Sequence, residues 1–124
     1  MKNNTKVNAA ILIIGNEILS GRTQDTNTST LAKWLNSMGV KISEVRVIPD
    51  IEIIIVDTLN LLRKSNNYVF TTGGIGPTHD DITAKSVSKA FGLTYEIHKE
   101  AFEILKAYYK TGEFNDGRQK MTWM

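Results

Sequence analysis

The sequence predicts an α/β fold in which a mostly parallel sheet lies between two layers of helices, a three-layer αβα arrangement. Segments with strand-like hydrophobicity alternate along the chain with segments of helical periodicity, as in successive βα units. The first strand segment, residues 9–14, is apolar at every position, which is typical of a parallel strand covered on both faces. Sheets of this kind bind ligands beyond the carboxyl ends of their strands, so function is expected in the loops that follow them.

The first half of the chain is predicted to contain two strands and two helices. Residues 9–14 form the first strand, and Asp25-Thr26-Asn27 supplies N-cap candidates for the first long helix. Residues 40–48 alternate and are rich in β-branched side chains, which predicts the second strand. The buried helical stripes are predicted at Leu31, Trp34, Leu35 and Met38, and then at Ile51, Ile55, Leu59 and Leu62.

The second half of the chain continues the alternation. Residues 68–71 are predicted to form the third strand, which leads into a glycine-rich loop. A helix with Ala84, Val87 and Phe91 on its buried face follows, and Gly92 is placed to end it. Residues 93–97 are predicted as a short strand, and a further helix carries an apolar stripe at Phe102, Leu105 and Tyr109.

Length and composition limit the classes of function. The 124 residues suffice for one domain, spanning residues 1–124. A formal charge of +2, with basic residues scattered along the chain, gives no reason to expect nucleic acid as a partner. The absence of cysteine excludes disulfides, thiolate catalysis and cysteine-bound zinc. Residues 1–6 lack the apolar run of a secretory signal, and no apolar run reaches membrane-spanning length, so we expect a cytoplasmic protein without a membrane partner.

The most informative stretch is residues 71–83, Thr-Thr-Gly-Gly-Ile-Gly-Pro-Thr-His-Asp-Asp-Ile-Thr. Glycines permit positive φ and close ligand approach, so successive amides can converge on an anion beside the start of a helix. Asp80 and Asp81 would repel a bare phosphate unless a divalent cation, most simply Mg²⁺, lay between them. The loop therefore predicts metal ligands at Asp80 and Asp81 and ligand-binding residues at Thr72, Gly73, Gly74, Gly76, Pro77, Thr78 and Thr83. The alternative is a plain strand-to-helix connection whose acids complement the helix dipole.

Two further loops follow the other strands. The first is Gly15-Asn16-Glu17 and the second contains Asp50. The stretch at residues 71–83 matches neither the P-loop nor the dinucleotide fingerprint. Because all three loops follow strands of a parallel sheet, we expect them to gather at one sheet edge. The alternatives are that Asp50 is an ordinary helix N-cap and that Glu17 is a solvated loop acid.

The loop motifs resemble those of the molybdopterin-binding domain of the MoaB/Mog type. The resemblance rests on Gly15-Asn16-Glu17-Ile18-Leu19-Ser20-Gly21, on Val47-Ile48-Pro49-Asp50 and on the glycine loop, and it extends over residues 9–92. Within that superfamily the chain is most similar to the competence/damage-inducible protein A (CinA) branch, which has a similar Gly-Pro-Thr-x-Asp-Asp-Leu-Thr loop. In the adenylyltransferase branch a basic residue stands at the position of Asp80.

The resemblance implies roles for particular residues. Asp50 and Asp81 match the two acids implicated in catalysis or metal handling, and the loop glycines match the segment that holds a pterin phosphate or nucleotide. It implies metal-dependent hydrolysis of a nucleotide diphosphate of the ADP-ribose class. The alternatives are molybdopterin binding or adenylyl transfer in cofactor biosynthesis, and a non-catalytic binding module. It also leads us to expect that the chain stops before the last strand of the domain, which would favour homo-oligomers through an open sheet edge.

Overall fold

The structure is a computed structural model that describes residues 6–124; residues 1–5, which contributed to the prediction about a secretory signal, lie outside the described residues. Three strands and six helices follow one another along the described chain. In chain order they are β1 (Val7–Ile14), α1 (Asn16–Leu19), α2 (Asn27–Ser37), β2 (Val40–Ile48), α3 (Glu52–Ser65), β3 (Tyr68–Thr72), α4 (Thr83–Phe91), α5 (Lys99–Tyr108) and α6 (Asp116–Lys120).

The three strands form one parallel sheet in the order β2-β1-β3. Ile14 at the end of β1 lies opposite Ile48 at the end of β2, and Ile13 lies opposite Thr72 at the end of β3. The carboxyl ends of all three strands are therefore level with one another. This arrangement confirms the predicted α/β class and brings the three strand-following loops to the same edge.

Helices cover both faces of the sheet. The connection from β1 to β2 runs in the opposite direction across the sheet from the one between β2 and β3, and right-handed crossovers therefore place α2 and α3 on opposite faces. The strand β1 lies in the middle and is buried along residues 9–14, as the sequence predicts. The core on the α3 side consists of Ala10, Leu12, Ile14, Ile48, Ile55, Leu59, Leu62 and Ala90.

One irregularity links β2 to the end of α3. The register between β1 and β2 shifts after Ala9, so that Ser43 has no partner in the β1 ladder. The Ser43 hydroxyl donates to the carbonyl of Ala9 (3.2 Å) and to the side-chain oxygen of Asn66. Asn66, only 6% exposed, in turn donates its side-chain amide to the carbonyl of Leu62 (2.9 Å). The buried side chain of Asn66 thus provides a hydrogen-bond partner for Ser43 at the bulge and for the Leu62 carbonyl in the last turn of α3.

Three predicted helical stripes differ from the structure. In the stripe of α3, Ile55, Leu59 and Leu62 are buried as predicted, whereas Ile51 is the N-cap and is 48% exposed. Trp34 and Met38 are 56% and 60% exposed, and Leu35 is the one fully buried residue of α2. This helix packs on β2, an edge strand, and buries a narrower stripe than its sequence predicts. In α4 the buried positions include Ser86 and Ala90, whereas Phe91 is largely exposed. Small side chains suit the close packing of α4 on α3, and hydrophobicity alone does not reveal them.

The carboxyl-terminal part contains no regular strand among the described residues. The strand predicted at residues 93–97 is reduced to a single antiparallel bridge between Ile97 and Trp123. Glu96 and Met124 exchange two backbone hydrogen bonds beside it, of 2.9 and 3.2 Å. The amide of His98 also donates to the carbonyl of Thr122 (2.7 Å), and within the described residues the pairing does not extend into a ladder. The predicted helix that follows is present as α5, with His98 as its N-cap accepting from the amide of Ala101 (3.2 Å).

Among residues 6–124, no helix combines the length and the apolar composition needed to cross a membrane.

The buried amide of Asn66 gives a test of the fold. We predict that Asn66→Ala lowers the free energy of unfolding by about 1–3 kcal/mol, because the Leu62 carbonyl loses its side-chain donor and the Ser43 hydroxyl loses one of its two acceptors. Asn36→Ala, at an exposed position of α2, serves as the control and should change it by less than about 0.5 kcal/mol. Urea denaturation of both variants provides the measurement, and equal stabilities would contradict this account.

Candidate functional site

The ends of the three strands are joined by close backbone contacts. The amide of Gly15 donates to the carbonyl of Ile48 (3.0 Å), which ties the end of β1 to the end of β2. On the other side, Gly73 after β3 lies against the carbonyl of Ile14. A cleft of about 210 Å³ opens at this junction. Its lining residues are Ile14, Gly15, Asn16, Glu17, Arg22, Asp50, Gly74, Thr78, Asp80 and Asp81.

Positions 73 and 74 of the loop require glycine. Gly73 and Gly74 have φ of 88° and 69°, in the left-handed region that the sequence analysis expected. A Cβ atom on Gly73 would overlap the carbonyl oxygen of Ile14, and one on Gly74 would overlap the hydroxyl of Thr83. Gly76 does not have a positive φ, contrary to expectation. Its constraint is space, because a Cβ atom there would lie 2.8 Å from a carboxylate oxygen of Asp81.

Thr83, at the start of α4, anchors the backbone of the glycine loop. Its hydroxyl donates to the carbonyl of Gly73 (2.8 Å) and its amide donates to the carbonyl of Gly74 (3.1 Å). The residue is only 3% exposed, and it is the first residue of α4. The start of this helix is therefore joined to the loop backbone. Thr83 lies outside the cleft, and its predicted role in ligand binding stays a prediction.

The carboxylate of Asp81 is held by the loop itself. Its Oδ2 atom accepts from the amide of Thr78 (2.8 Å) and from the hydroxyl of Thr78 (2.8 Å), and the amide of Gly76 also donates to this carboxylate. Burial by itself raises the pKa of Asp81, but these hydrogen bonds and the charge of Lys120 together hold that pKa below its usual value. Asp81 is thus ionised at neutral pH. Loop amides that were expected to converge on a ligand phosphate hold this side-chain anion instead.

Glu17 and Asp50, which follow β1 and β2, also lie at the junction of the strand ends. Asp50 Oδ1 accepts from the side-chain amide of Asn16 (2.6 Å), whereas the N-cap of α3 is Ile51, without a side-chain capping bond. Asp50 is therefore not the ordinary N-cap that was the alternative interpretation. Glu17 is half-buried, and its carboxylate folds back over Gly15, where a Cβ atom would lie 2.5 Å from Oε1. It is thus not a freely solvated acid.

Asp80 differs from its neighbour Asp81 in being exposed. Its carboxylate Oδ1 lies 3.2 Å from Nε2 of His79, and both side chains extend into solvent. Because Asp80 also lines the cleft, it adds a fourth carboxylate to those of Glu17, Asp50 and Asp81.

The donor set of the cleft suits a hard divalent cation that is shared with a ligand. In the part of the chain from residue 6 onward, no three acidic or histidine side chains form a preassembled metal cluster. Mg²⁺ usually keeps several waters and is held by one or two carboxylates together with substrate phosphates, so a preassembled cluster is not required. Asp50, Asp80 and Asp81 are the residues that fit this mode. Their role as metal ligands stays a prediction.

The remaining predicted residues lie around the cleft. Thr72 and Gly73 line a neighbouring cleft of about 190 Å³, which Glu17 shares. Gly76 lines a third cleft of about 250 Å³, which Asp81 shares. Pro77 is exposed, and its carbonyl faces α6.

Two basic residues at the site were not predicted from the sequence to lie there. Arg22 lines the acidic cleft and donates from Nε to the hydroxyl of Ser20 (3.2 Å). Its position directly after Gly21, at the end of the first loop motif, is a signal that could have found it. Lys120 donates to the carbonyl of Thr78 from 42 residues away, and no local sequence pattern indicates that contact.

Curated relatives of the chain come from archaea. A protein of Archaeoglobus fulgidus is 40% identical over 103 residues, which are 83% of this chain and 45% of that protein. A protein of Saccharolobus islandicus is 36% identical over 119 residues, which are 94% of this chain and 45% of that protein. The chain therefore spans less than half the length of these relatives.

Two solved structures illustrate a likeness that extends over nearly the whole chain. A structure described as the protein CinA with unknown function, from Thermoplasma acidophilum, has a TM-score of 0.90 at 29% identity and covers 98% of this chain, with 72% of that chain matched. The tungsten cofactor synthesizing protein MoaB from Pyrococcus furiosus has a TM-score of 0.63 at 20% identity, covering 94% of this chain and 69% of its own. The second likeness shows a shared fold.

The family model described as a probable molybdopterin binding domain matches residues 10–121, a range that includes all three loops of the cleft. With the fold and the loop geometry, this match identifies the chain as a member of the probable molybdopterin binding domain family.

Proposed function

We propose that the cleft binds the phosphate groups of a nucleotide or pterin together with a divalent cation, and that it hydrolyses a pyrophosphate of the ADP-ribose class. The observation that supports this most directly is the composition of the cleft. Four carboxylates, those of Glu17, Asp50, Asp80 and Asp81, line one small space beside the glycine loop. Such a space repels a bare polyphosphate and attracts a cation that can bridge to one.

Individual side chains then have distinct proposed roles. Asp50, Asp80 and Asp81 would hold the cation, which when bound neutralises phosphate charge and polarises phosphorus. Arg22 is placed to bind phosphate oxygens, since a guanidinium matches them in geometry and charge. Glu17 positions either the attacking water or the ribose, and Asn16 orients Asp50 through their 2.6 Å hydrogen bond.

Molybdopterin binding, or adenylyl transfer to it, is the second candidate. The family description and the likeness to MoaB support it. The acidic residue Asp80 in the cleft favours the hydrolase, because the resembling adenylyltransferases have a basic residue at this position. A non-catalytic binding module stays a third possibility, and self-association of the chain is also a prediction.

The need for a cation gives the first functional prediction. We expect that ADP-ribose binds at least about tenfold more weakly when Mg²⁺ is removed by a chelator, a difference of about 1.4 kcal/mol. In Asp81→Asn the gain from Mg²⁺ should be largely lost, because the remaining amide is a poor cation ligand. Isothermal titration calorimetry measures both effects. Asp57→Asn, at an exposed position of α3, is the matched control and should keep the full Mg²⁺ dependence.

Equal affinity of the parent protein with and without chelator would remove the metal from this proposal. Equal Mg²⁺ dependence in Asp81→Asn and Asp57→Asn would mean that binding uses a metal but that Asp81 is not one of its ligands.

Catalysis and binding can be separated with two loop variants. Asp81→Asn should lower the rate of AMP release from ADP-ribose by about 100-fold, or about 2.7 kcal/mol, with a smaller effect on apparent affinity. Gly74→Ala should mainly weaken binding and lower stability by about 1–3 kcal/mol, because its φ is positive and a Cβ atom meets the Thr83 hydroxyl. Steady-state kinetics and thermal unfolding of both variants test whether Asp81→Asn mainly lowers turnover while Gly74→Ala mainly weakens binding and lowers stability.

The two candidate functions predict opposite results for the parent protein. AMP release from ADP-ribose that is lost in Asp81→Asn supports hydrolysis. Binding of molybdopterin without any AMP release would mean that the hydrolase proposal is wrong and that cofactor binding takes its place.

A further inference from the structure

The short helix α6 packs directly on the glycine loop. Gly117 approaches Pro77 so closely that a Cβ atom at residue 117 would lie 2.7 Å from the Pro77 carbonyl oxygen. From the last position of α6, the half-buried Lys120 donates its ammonium group to the carbonyl of Thr78. A segment more than thirty residues downstream therefore touches the loop at two successive carbonyls.

Thr78 is the point at which this contact reaches the site. Its carbonyl accepts from both Lys120 and the amide of Asp81 (3.1 Å), while its own amide and hydroxyl donate to the Asp81 carboxylate. All three polar groups of Thr78 are thus used to form one closed turn. The charge of Lys120 lies on that turn, and it helps to hold the pKa of Asp81 below its usual value.

The helix α6, which carries Lys120, makes further contacts of its own. The guanidinium of Arg118 lies over the ring of Tyr109 at 4.3 Å and donates to the carbonyl of Glu113 (2.6 Å). Thr122, directly after the helix, is fully buried and donates its hydroxyl to the carbonyl of Gln119 (2.6 Å). These contacts join α6, which carries Lys120, to residues 109–113 and to the residue that follows its C-cap.

We propose that Lys120 is a positioning residue of the acidic cleft: through the Thr78 carbonyl it holds the Thr78–Asp81 turn in the geometry in which the Asp81 side chain faces the bound ligand. What the cleft binds rests on the function proposed above, whereas the positioning itself is measurable without a ligand. Lys120 acts through Thr78 and does not line the acidic cleft.

The test compares Lys120→Met with Lys120→Arg and with Lys106→Met, a control at an exposed position of α5. We expect Lys120→Met to speed hydrogen exchange of the Asp81 amide by about tenfold or more, since the turn opens locally. Lys120→Arg should restore most of the protection of this amide. If the amide exchanged at the same rate in Lys120→Met and Lys106→Met, the proposal would be overturned.

Binding of ADP-ribose with Mg²⁺ is measured on the same variants. Weaker binding in Lys120→Met that Lys120→Arg restores supports the positioning role, and unchanged binding despite a loosened turn contradicts it. If the parent binds no ADP-ribose while the Asp81 amide still exchanges faster in Lys120→Met, the proposed substrate is wrong and the positioning of the turn stands. Thermal melts at neutral pH verify folding, and Lys120→Gln replaces Lys120→Met if that variant does not fold.

Discussion

The parallel register of β1 with both of its neighbours is the constraint on which the site depends. Because Ile14 lies level with Ile48 and next to the end of β3, the loops that follow the three strands must leave the sheet side by side. The contact of Gly73 with the Ile14 carbonyl and the bond from Gly15 to Ile48 then join these loops directly. Residues far apart in the chain thus share one small cleft.

The state of Asp81 decides what kind of ligand the cleft can accept. Hydrogen bonds from Thr78 and Gly76 stabilise the ionised carboxylate and use loop amides that could otherwise have held a phosphate. A negative ligand therefore needs either a cation or a basic side chain to approach. Arg22 supplies one positive charge at the cleft, against four carboxylates. This imbalance is the physical reason for including a divalent cation in the proposed function.

The sequence was sufficient for the class of the fold and for most residues of the cleft. The continuous apolar run at residues 9–14 identified β1, and glycines after β3 indicated a loop with positive φ, because both signals are local. Trp34 was wrongly predicted to be buried, since the sequence does not reveal how much of α2 the edge strand covers. The contact of Lys120 with Thr78 could not be predicted, because it arises only when α6 packs on the loop.

The central claim is that the phosphates of the ligand meet the cation at the junction of the three strand ends. Mapping of backbone amide chemical shifts by NMR, during titration with ADP-ribose in the presence of Mg²⁺, tests this most directly. The account predicts that the largest changes occur at Glu17, Gly74 and Thr78, around the acidic cleft. Changes confined to the larger groove that is lined by Arg63, Tyr68 and Phe91 would contradict it.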